Sequence, residues 1–131
     1  MKEMPQWMKE WVAALRSGEY EQGIQYLCKN NKYCCLGVLC ELQPDLEWEI
    51  VIKKEDDNEE VHGLPPKTVK RYGKDGHTGS LPISIVTKLG LRSRFGSFKD
   101  ETITLSGLND QGKTFAEIAD IIEKNWERLL R

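Results

Sequence analysis

Residues 61–100 concentrate cations at a density suited to binding an anion. The eight basic residues are Lys67, Lys70, Arg71, Lys74, Lys88, Arg92, Arg94 and Lys99, against Asp75 and Asp100. The segment therefore carries eight minus two, or +6, and the rest of the chain carries −8, which gives the total of −2. This separation of charge is typical of an anion-binding face, or of two solvated surfaces that attract each other.

The spacing of the first four cations predicts a single stripe on a short helix. Lys67, Lys70, Arg71 and Lys74 lie at i, i+3, i+4 and i+7, so they share one face if residues 66–74 are helical. Like charges in one stripe repel, and a phosphate-bearing ligand would relieve that repulsion. The cations that we predict to bind ligand are Lys67, Lys70, Arg71, Arg92 and Arg94.

Two polar turns supply the rest of the candidate ligand-binding set. The first follows the N-terminal helix, and the second precedes the C-terminal one. Their candidate residues are Arg16, Tyr20, Gln22, Asn109 and Asp110. A purely structural role is the alternative, because Asn-Asp is ordinary turn chemistry and Arg16 is placed to cap helix carbonyls.

The four cysteines favour packing over chemistry. Cys28, Cys34, Cys35 and Cys40 have no histidine nearby in sequence and lack the spacing of a zinc site. A thiol at position 34 or 35 would sit at a helix N-terminus, where a thiolate is stabilised. We expect free, buried thiols and predict no metal, no cofactor and no catalytic residue.

Three functional classes remain open. A binding protein is favoured, because the sequence has no Gly-rich phosphate loop, serine elbow or HExxH motif. The first alternative is an enzyme that cleaves a nucleotide, with His62 or His77 as acid or base. The second is a protein-binding regulator that uses the acidic run at residues 55–60 as a nucleic-acid mimic.

Hydrophobic patterning predicts the elements that would position these residues. Residues 5–17 predict an amphipathic helix ended by Gly18, and residues 34–42 a buried helix in which Gly37 permits close packing. Residues 21–27 read as extended, followed by a turn at 29–32. Residues 46–54 alternate like a half-buried strand, with the return beginning near Val61.

The second half of the chain predicts more helix than strand. Leu-Pro pairs at 64–65 and 81–82, each followed by a glycine at the same spacing, predict two short helices. Residues 101–105 read as a strand and 106–112 as a loop. Thr114 and Glu117 form a capping box that starts a C-terminal helix.

The expected fold is therefore α+β, in a single domain spanning residues 1–131. Amphipathic N-terminal and C-terminal helices pack with a buried Cys-rich helix and a small antiparallel sheet. The chain has no apolar run of transmembrane length and no signal-peptide pattern, so we expect a cytoplasmic protein that contacts no membrane. The net charge of −2 suggests that nucleic acid is not a partner.

Four stretches of the chain resemble a widespread family of small bacteriophage proteins of largely unknown activity. They are residues 11–20 with Gln22, residues 33–40 (YCCLGVLC), residues 81–91, and residues 108–120 (LNDQGKTFAEIAD). The resemblance implies phage origin and action in the host bacterial cytoplasm, and it transfers no catalytic residue. By analogy with phage proteins that sequester cyclic nucleotides or ADP-ribose-derived signals, we expect a homo-oligomer that binds a small phosphorylated nucleotide and inhibits host defence.

Overall fold

A computed structural model describes residues 3–24, 26–29, 31–44, 48–52, 68–72 and 79–131. Within these residues, five helices and five short strands make up an α+β fold, as the sequence predicts. The helices are α1 (Gln6–Arg16), α2 (Cys35–Glu41), α3 (Ile83–Leu89), α4 (Leu105–Asp110) and α5 (Phe115–Leu129). The strands are β1 (Glu21–Gln22), β2 (Cys28–Lys29), β3 (Lys32–Tyr33), β4 (Trp48–Ile52) and β5 (Thr68–Tyr72).

The predicted helix boundaries hold where the sequence carries clear start and stop signals. Pro5 precedes α1, and Gly18, at φ +76°, follows it in the left-handed conformation that glycine adopts without strain. At the start of α5, the Thr114 hydroxyl accepts the N–H of Glu117, while the Glu117 carboxylate accepts the N–H of Thr114. The capping box is thus confirmed.

The five strands form one mixed sheet in the order β1-β3-β2-β5-β4. β2 and β3 form a hairpin around the predicted turn, where Asn31 has φ +65°. β4 confirms the predicted strand and pairs antiparallel with β5, which also pairs antiparallel with β2. The predicted antiparallel sheet is wrong at one edge, because β1 and β3 run parallel.

The prediction of a helix over residues 66–74 is wrong. Thr68–Tyr72 is β5, a central strand with neighbours on both sides. Its β-branched and aromatic residues suit a strand, and it pairs with β4 along all five residues and with β2 at Val69 and Lys70. Successive strand positions lie on opposite sheet faces, so the helical stripe of cations that included Lys70 and Arg71 does not exist.

The strand predicted at residues 101–105 and the loop predicted at 106–112 are also wrong. This region holds a single antiparallel bridge, Ser97 to Thr104, and then α4. The Thr104 hydroxyl accepts the N–H of Gly107 and caps the helix. The alternation of apolar and polar residues therefore ended in a helix cap instead of continuing in a strand.

The core lies between the helices. Buried side chains of α1, α2 and α5 interlock, with Trp11, Leu36, Leu39, Ile118 and Ile122 fully buried. Gly37 packs directly on the chain before β2: a Cβ built there would lie 1.8 Å from the Leu27 carbonyl oxygen. The predicted close approach is confirmed, and it fixes α2 against the sheet.

Candidate functional site

The predicted polar turns meet in space, at Gln22 and Asn109. The Asn109 side chain is fully buried. Its amide oxygen accepts the backbone N–H of Cys35 at 3.1 Å and the amide of Gln22 at 3.0 Å, and its amide nitrogen donates to the Gly23 carbonyl at 2.8 Å. Asn109 thereby binds the N-terminus of α2 to the end of β1.

Gln22 extends this network to the start of α5. Its amide nitrogen donates to the Lys113 carbonyl at 2.7 Å, and its amide oxygen accepts the N–H of Phe115 at 3.1 Å. Phe115 is the first residue of α5, so its N–H would otherwise lack a helical partner. Gln22 and Asn109 therefore stabilise the junction of β1, α2, α4 and α5, and their amides are engaged by the protein itself.

Arg16 and Tyr20 also contact the protein. The Arg16 guanidinium forms ion pairs with Asp120, at 2.6 Å, and with Glu123, which join the C-terminus of α1 to α5. Tyr20 packs edge-on against Tyr33, with ring centroids 5.4 Å apart. Burial raises the pKa of the Tyr20 hydroxyl, with help from nearby carboxylates, so this phenol stays protonated at neutral pH.

Three other predicted residues lie at the end of α4 and in β5. Asp110 is exposed at the last position of α4. In β5, Lys70 stands opposite Cys28 and Ile50, and Arg71 stands opposite Glu49. Outside the described residues lie the predicted ligand-binding cation Lys67, both histidines and the acidic run at residues 55–60.

The cysteines are free and buried, as predicted. Burial raises the pKa of Cys34 to about 11 and holds those of Cys35 and Cys40 well above the ordinary value. Cys34 caps α2 through its sulfur, which accepts the N–H of Gly37. In the part of the chain that the structure describes, no group of three or more His, Cys, Asp or Glu residues could hold a metal ion. Desolvation therefore outweighs the helix N-terminus, and neither Cys34 nor Cys35 has the lowered pKa of a reactive thiol.

The remaining predicted cations, Arg92 and Arg94, lie in a well-anchored segment, residues 88–99, which we term the basic loop. The Arg92 N–H donates to the Leu129 carbonyl at 2.9 Å, and the Arg94 carbonyl accepts the N–H of Leu81 at 2.9 Å. The Lys99 N–H donates to the Arg128 carbonyl at 2.7 Å. The backbone of the basic loop is thus fixed against the C-terminal end of α5.

Side chains and internal bonds rigidify the basic loop further. Leu91 and Phe98 are buried and anchor its two ends. The Ser93 hydroxyl accepts the N–H groups of Phe95 and Ser97, at 3.2 Å and 3.1 Å. A loop held in this way presents its exposed side chains with little freedom of backbone movement.

The exposed side chains of the basic loop are cationic or aromatic. Lys88, Arg92 and Lys99 are exposed, and none forms an ion pair with a described residue. The guanidinium carbon of Arg94 lies 5.9 Å from the ring centroid of Phe95. Residues 79–99 hold four basic residues and no acidic residue, so this segment carries a charge of +4, and Asp100 and Glu101 follow it directly.

Sequence reasoning missed two contributors to this surface, Arg131 and Phe95. Arg131 donates from Nε to the Leu91 carbonyl at 2.9 Å, which brings a further guanidinium to the basic loop. Because Arg131 is 40 residues from Leu91, no local pattern could have revealed this contact. The sequence could have indicated Phe95, because an aromatic residue directly after two closely spaced arginines, Arg92 and Arg94, is a recognisable pattern.

The protein is thus a small α+β domain in which the side chains of Gln22 and Asn109 join four elements by hydrogen bonds and the backbone of the basic loop is firmly held. The chain belongs to the family described as Domain of unknown function (DUF8296), whose model matches residues 4–126. No curated protein and no solved structure matches the chain. Among the described residues, no helix is long and apolar enough to cross a membrane.

Proposed function

We propose that this protein binds a small phosphorylated nucleotide at the basic loop and sequesters it. The observation that carries the proposal is a segment with an anchored backbone and no acidic residue, in which Lys88, Arg92 and Lys99 are exposed. Guanidinium groups bind phosphate through paired, charge-assisted hydrogen bonds. Arg92 and Arg94, with Arg131 beside them, are the groups that would hold the phosphates.

The biological role in this proposal follows from the resemblance to bacteriophage proteins. A phage protein that removes a nucleotide signal, such as a cyclic nucleotide or an ADP-ribose derivative, would inhibit host antiviral defence from within the host cytoplasm. Sequestration requires a site without turnover, so the ligand should be recovered intact after the protein is denatured. Cleavage of the ligand would support the enzyme alternative instead.

The proposed site contains fewer residues than the ligand-binding set predicted from the sequence. The amides of Gln22 and Asn109 and the guanidinium of Arg16 already have protein partners, so we assign them to stability. The basic loop keeps the exposed Arg92 as a ligand residue, with Arg94 two residues later in the same anchored segment. Self-association is a separate expectation, and sedimentation of the purified protein measures it.

The test uses a double variant, Arg92→Gln with Arg94→Gln, and a control of equal charge change, Lys9→Gln with Lys124→Gln. The control residues are exposed on α1 and α5. Titration calorimetry with ATP and with cyclic di-AMP measures affinity at low and high salt. Each lost charge-assisted bond is worth about 1.5–3 kcal/mol, so the loop variant should bind about ten-fold more weakly or worse.

The control should bind within about two-fold of wild type, because screening leaves distant charges little influence. Mass spectrometry of small molecules released from the protein, purified from infected or defence-active cells, identifies the natural ligand. Equal affinity of the loop variant and wild type for every nucleotide tested would overturn the proposal.

A further inference from the structure

The phenyl ring of Phe95 is 45% exposed in the basic loop, where the cations Arg92 and Arg94 precede it. Its backbone is held on both sides: the N–H donates to the Ser93 hydroxyl at 3.2 Å, and the carbonyl accepts the N–H of Ser106 at 3.1 Å. The ring is therefore presented outward by a fixed backbone, and its exposure does not arise from a loose chain.

The same loop buries another phenyl ring three residues later. Phe98 is only 5% exposed. Between the two lies Gly96, at φ +72°, where a Cβ would come within 2.8 Å of the Leu105 side chain. This tight, left-handed turn directs Phe98 to the core and leaves Phe95 outside.

The residues around the Phe95 ring indicate which kind of ligand would pack against it. Arg94 lies over the ring at 5.9 Å, and the exposed Arg92 is two residues away from Arg94. An apolar partner would have to desolvate the exposed Arg92 guanidinium, which is costly. A ligand with a flat aromatic part and an attached anion would satisfy both the ring and the cations.

We infer that Phe95 is the stacking platform for the nucleobase of the ligand whose phosphate Arg92 and Arg94 hold. The inference rests on the proposed function and narrows it, because it makes the base, and not the phosphate alone, a determinant of affinity. It also assigns to Phe95 a role in selecting nucleotides over base-free polyphosphates.

The experiment compares base-bearing and base-free anions on three variants. Wild type, Phe95→Leu and Phe95→Trp are titrated with ATP, cyclic di-AMP and inorganic tripolyphosphate. Leucine keeps an apolar side chain but removes the aromatic face. We expect Phe95→Leu to weaken the tighter-binding nucleotide about 5- to 100-fold and to leave tripolyphosphate within about two-fold. Phe95→Trp should bind the nucleotide at least as well as wild type, because its larger ring also stacks.

The possible failures of the two proposals can be told apart. If Phe95→Leu changes neither ligand class, or weakens both equally, the platform is wrong, while loss of binding in the Arg92→Gln, Arg94→Gln variant still upholds the proposed function. A wild-type protein that binds no anion overturns both. A short oligothymidylate that binds more tightly than any of the small anions, and loses that binding in Phe95→Leu, overturns the assignment to a small nucleotide.

Discussion

The amide oxygen of Asn109 accepts the backbone N–H of Cys35 at 3.1 Å, across 74 residues of sequence. The other polar groups of Cys35 are also bonded: its carbonyl accepts the indole N–H of Trp11 at 2.9 Å, and its thiol donates to the Leu105 carbonyl at 3.6 Å. One buried residue thus connects α1, α2 and α4. A network of this kind fixes a single arrangement of the core, because any alternative packing leaves buried polar groups unsatisfied.

We predict that Asn109→Ala lowers the free energy of unfolding by about 3 kcal/mol. The substitution leaves the buried N–H of Cys35 and the Gly23 carbonyl without a partner, and each such loss costs about 1–3 kcal/mol. Urea denaturation measures the change. The control is Gln111→Ala, an exposed residue beside the same helix, which should stay within about 0.5 kcal/mol. A cost below about 1 kcal/mol for Asn109→Ala would contradict the structural role.

Gly37→Ala should be among the most damaging single substitutions in the chain. The new Cβ would lie 1.8 Å from the Leu27 carbonyl oxygen and 2.7 Å from its carbon, which are backbone atoms that cannot rotate away. We expect a loss of at least about 3 kcal/mol, or failure to fold, in urea denaturation and circular dichroism.

Gly107→Ala is the matched control for Gly37→Ala, because both glycines are helical. At Gly107 the nearest atom to a Cβ is the Thr104 hydroxyl oxygen at 3.1 Å, so the effect should stay within about 1 kcal/mol. Equal effects of the two substitutions would show that α2 does not press on the Leu27 backbone.

Thr114→Ala should cost about 1 kcal/mol at neutral pH through loss of the helix cap. Hydrogen bonds from the Thr114 backbone and hydroxyl, and the charge of Lys113, lower the pKa of Glu117 below its ordinary value of 4.5. A lowered folded-state pKa stabilises the fold above the unfolded-state pKa and loses that contribution as the pH falls through the folded-state value.

The stability difference between wild type and Glu117→Gln should therefore be present at pH 7 and shrink below about pH 4.5. Thermal unfolding of both proteins over this range measures it. A difference that does not change with pH would mean that the Glu117 carboxylate does not take part in the cap. Neither substitution should change nucleotide affinity, since the cap lies at the start of α5 and the basic loop packs against the end of that helix.

The buried thiols should react slowly with iodoacetamide in the native protein and quickly in denaturant, as followed by mass spectrometry. Because burial raises the pKa of Cys34 from 9.0 to about 11, the unfolded chain loses its thiol protons first as the pH rises. Stability should therefore decline between about pH 9 and pH 11. Rapid labelling of native Cys34 or Cys35 with loss of binding would instead support a functional thiol.

The sequence alone determined those elements that depend on interactions between residues close together in the chain. Pro5 and Gly18 bounded α1, the Thr114 and Glu117 box began α5, and the apolar run at residues 34–42 gave the buried helix. The α+β class followed from these helices together with the strand predicted at residues 46–54, which contains β4. Arg92 and Arg94 are predicted to bind ligand from charge alone, because a run of cations without carboxylates is visible in the sequence itself.

Tertiary structure decided what depended on partners distant in sequence. Residues 68–72 became a strand because β2 and β4 pair with them on both sides, and that pairing overrode the helical spacing of Lys70 and Arg71. Asn109 became a structural residue because Cys35 and Gly23 reach it from far away along the chain. Hydrophobic periodicity and capping act within a few residues, whereas strand pairing and buried hydrogen bonds are settled only when the whole chain packs.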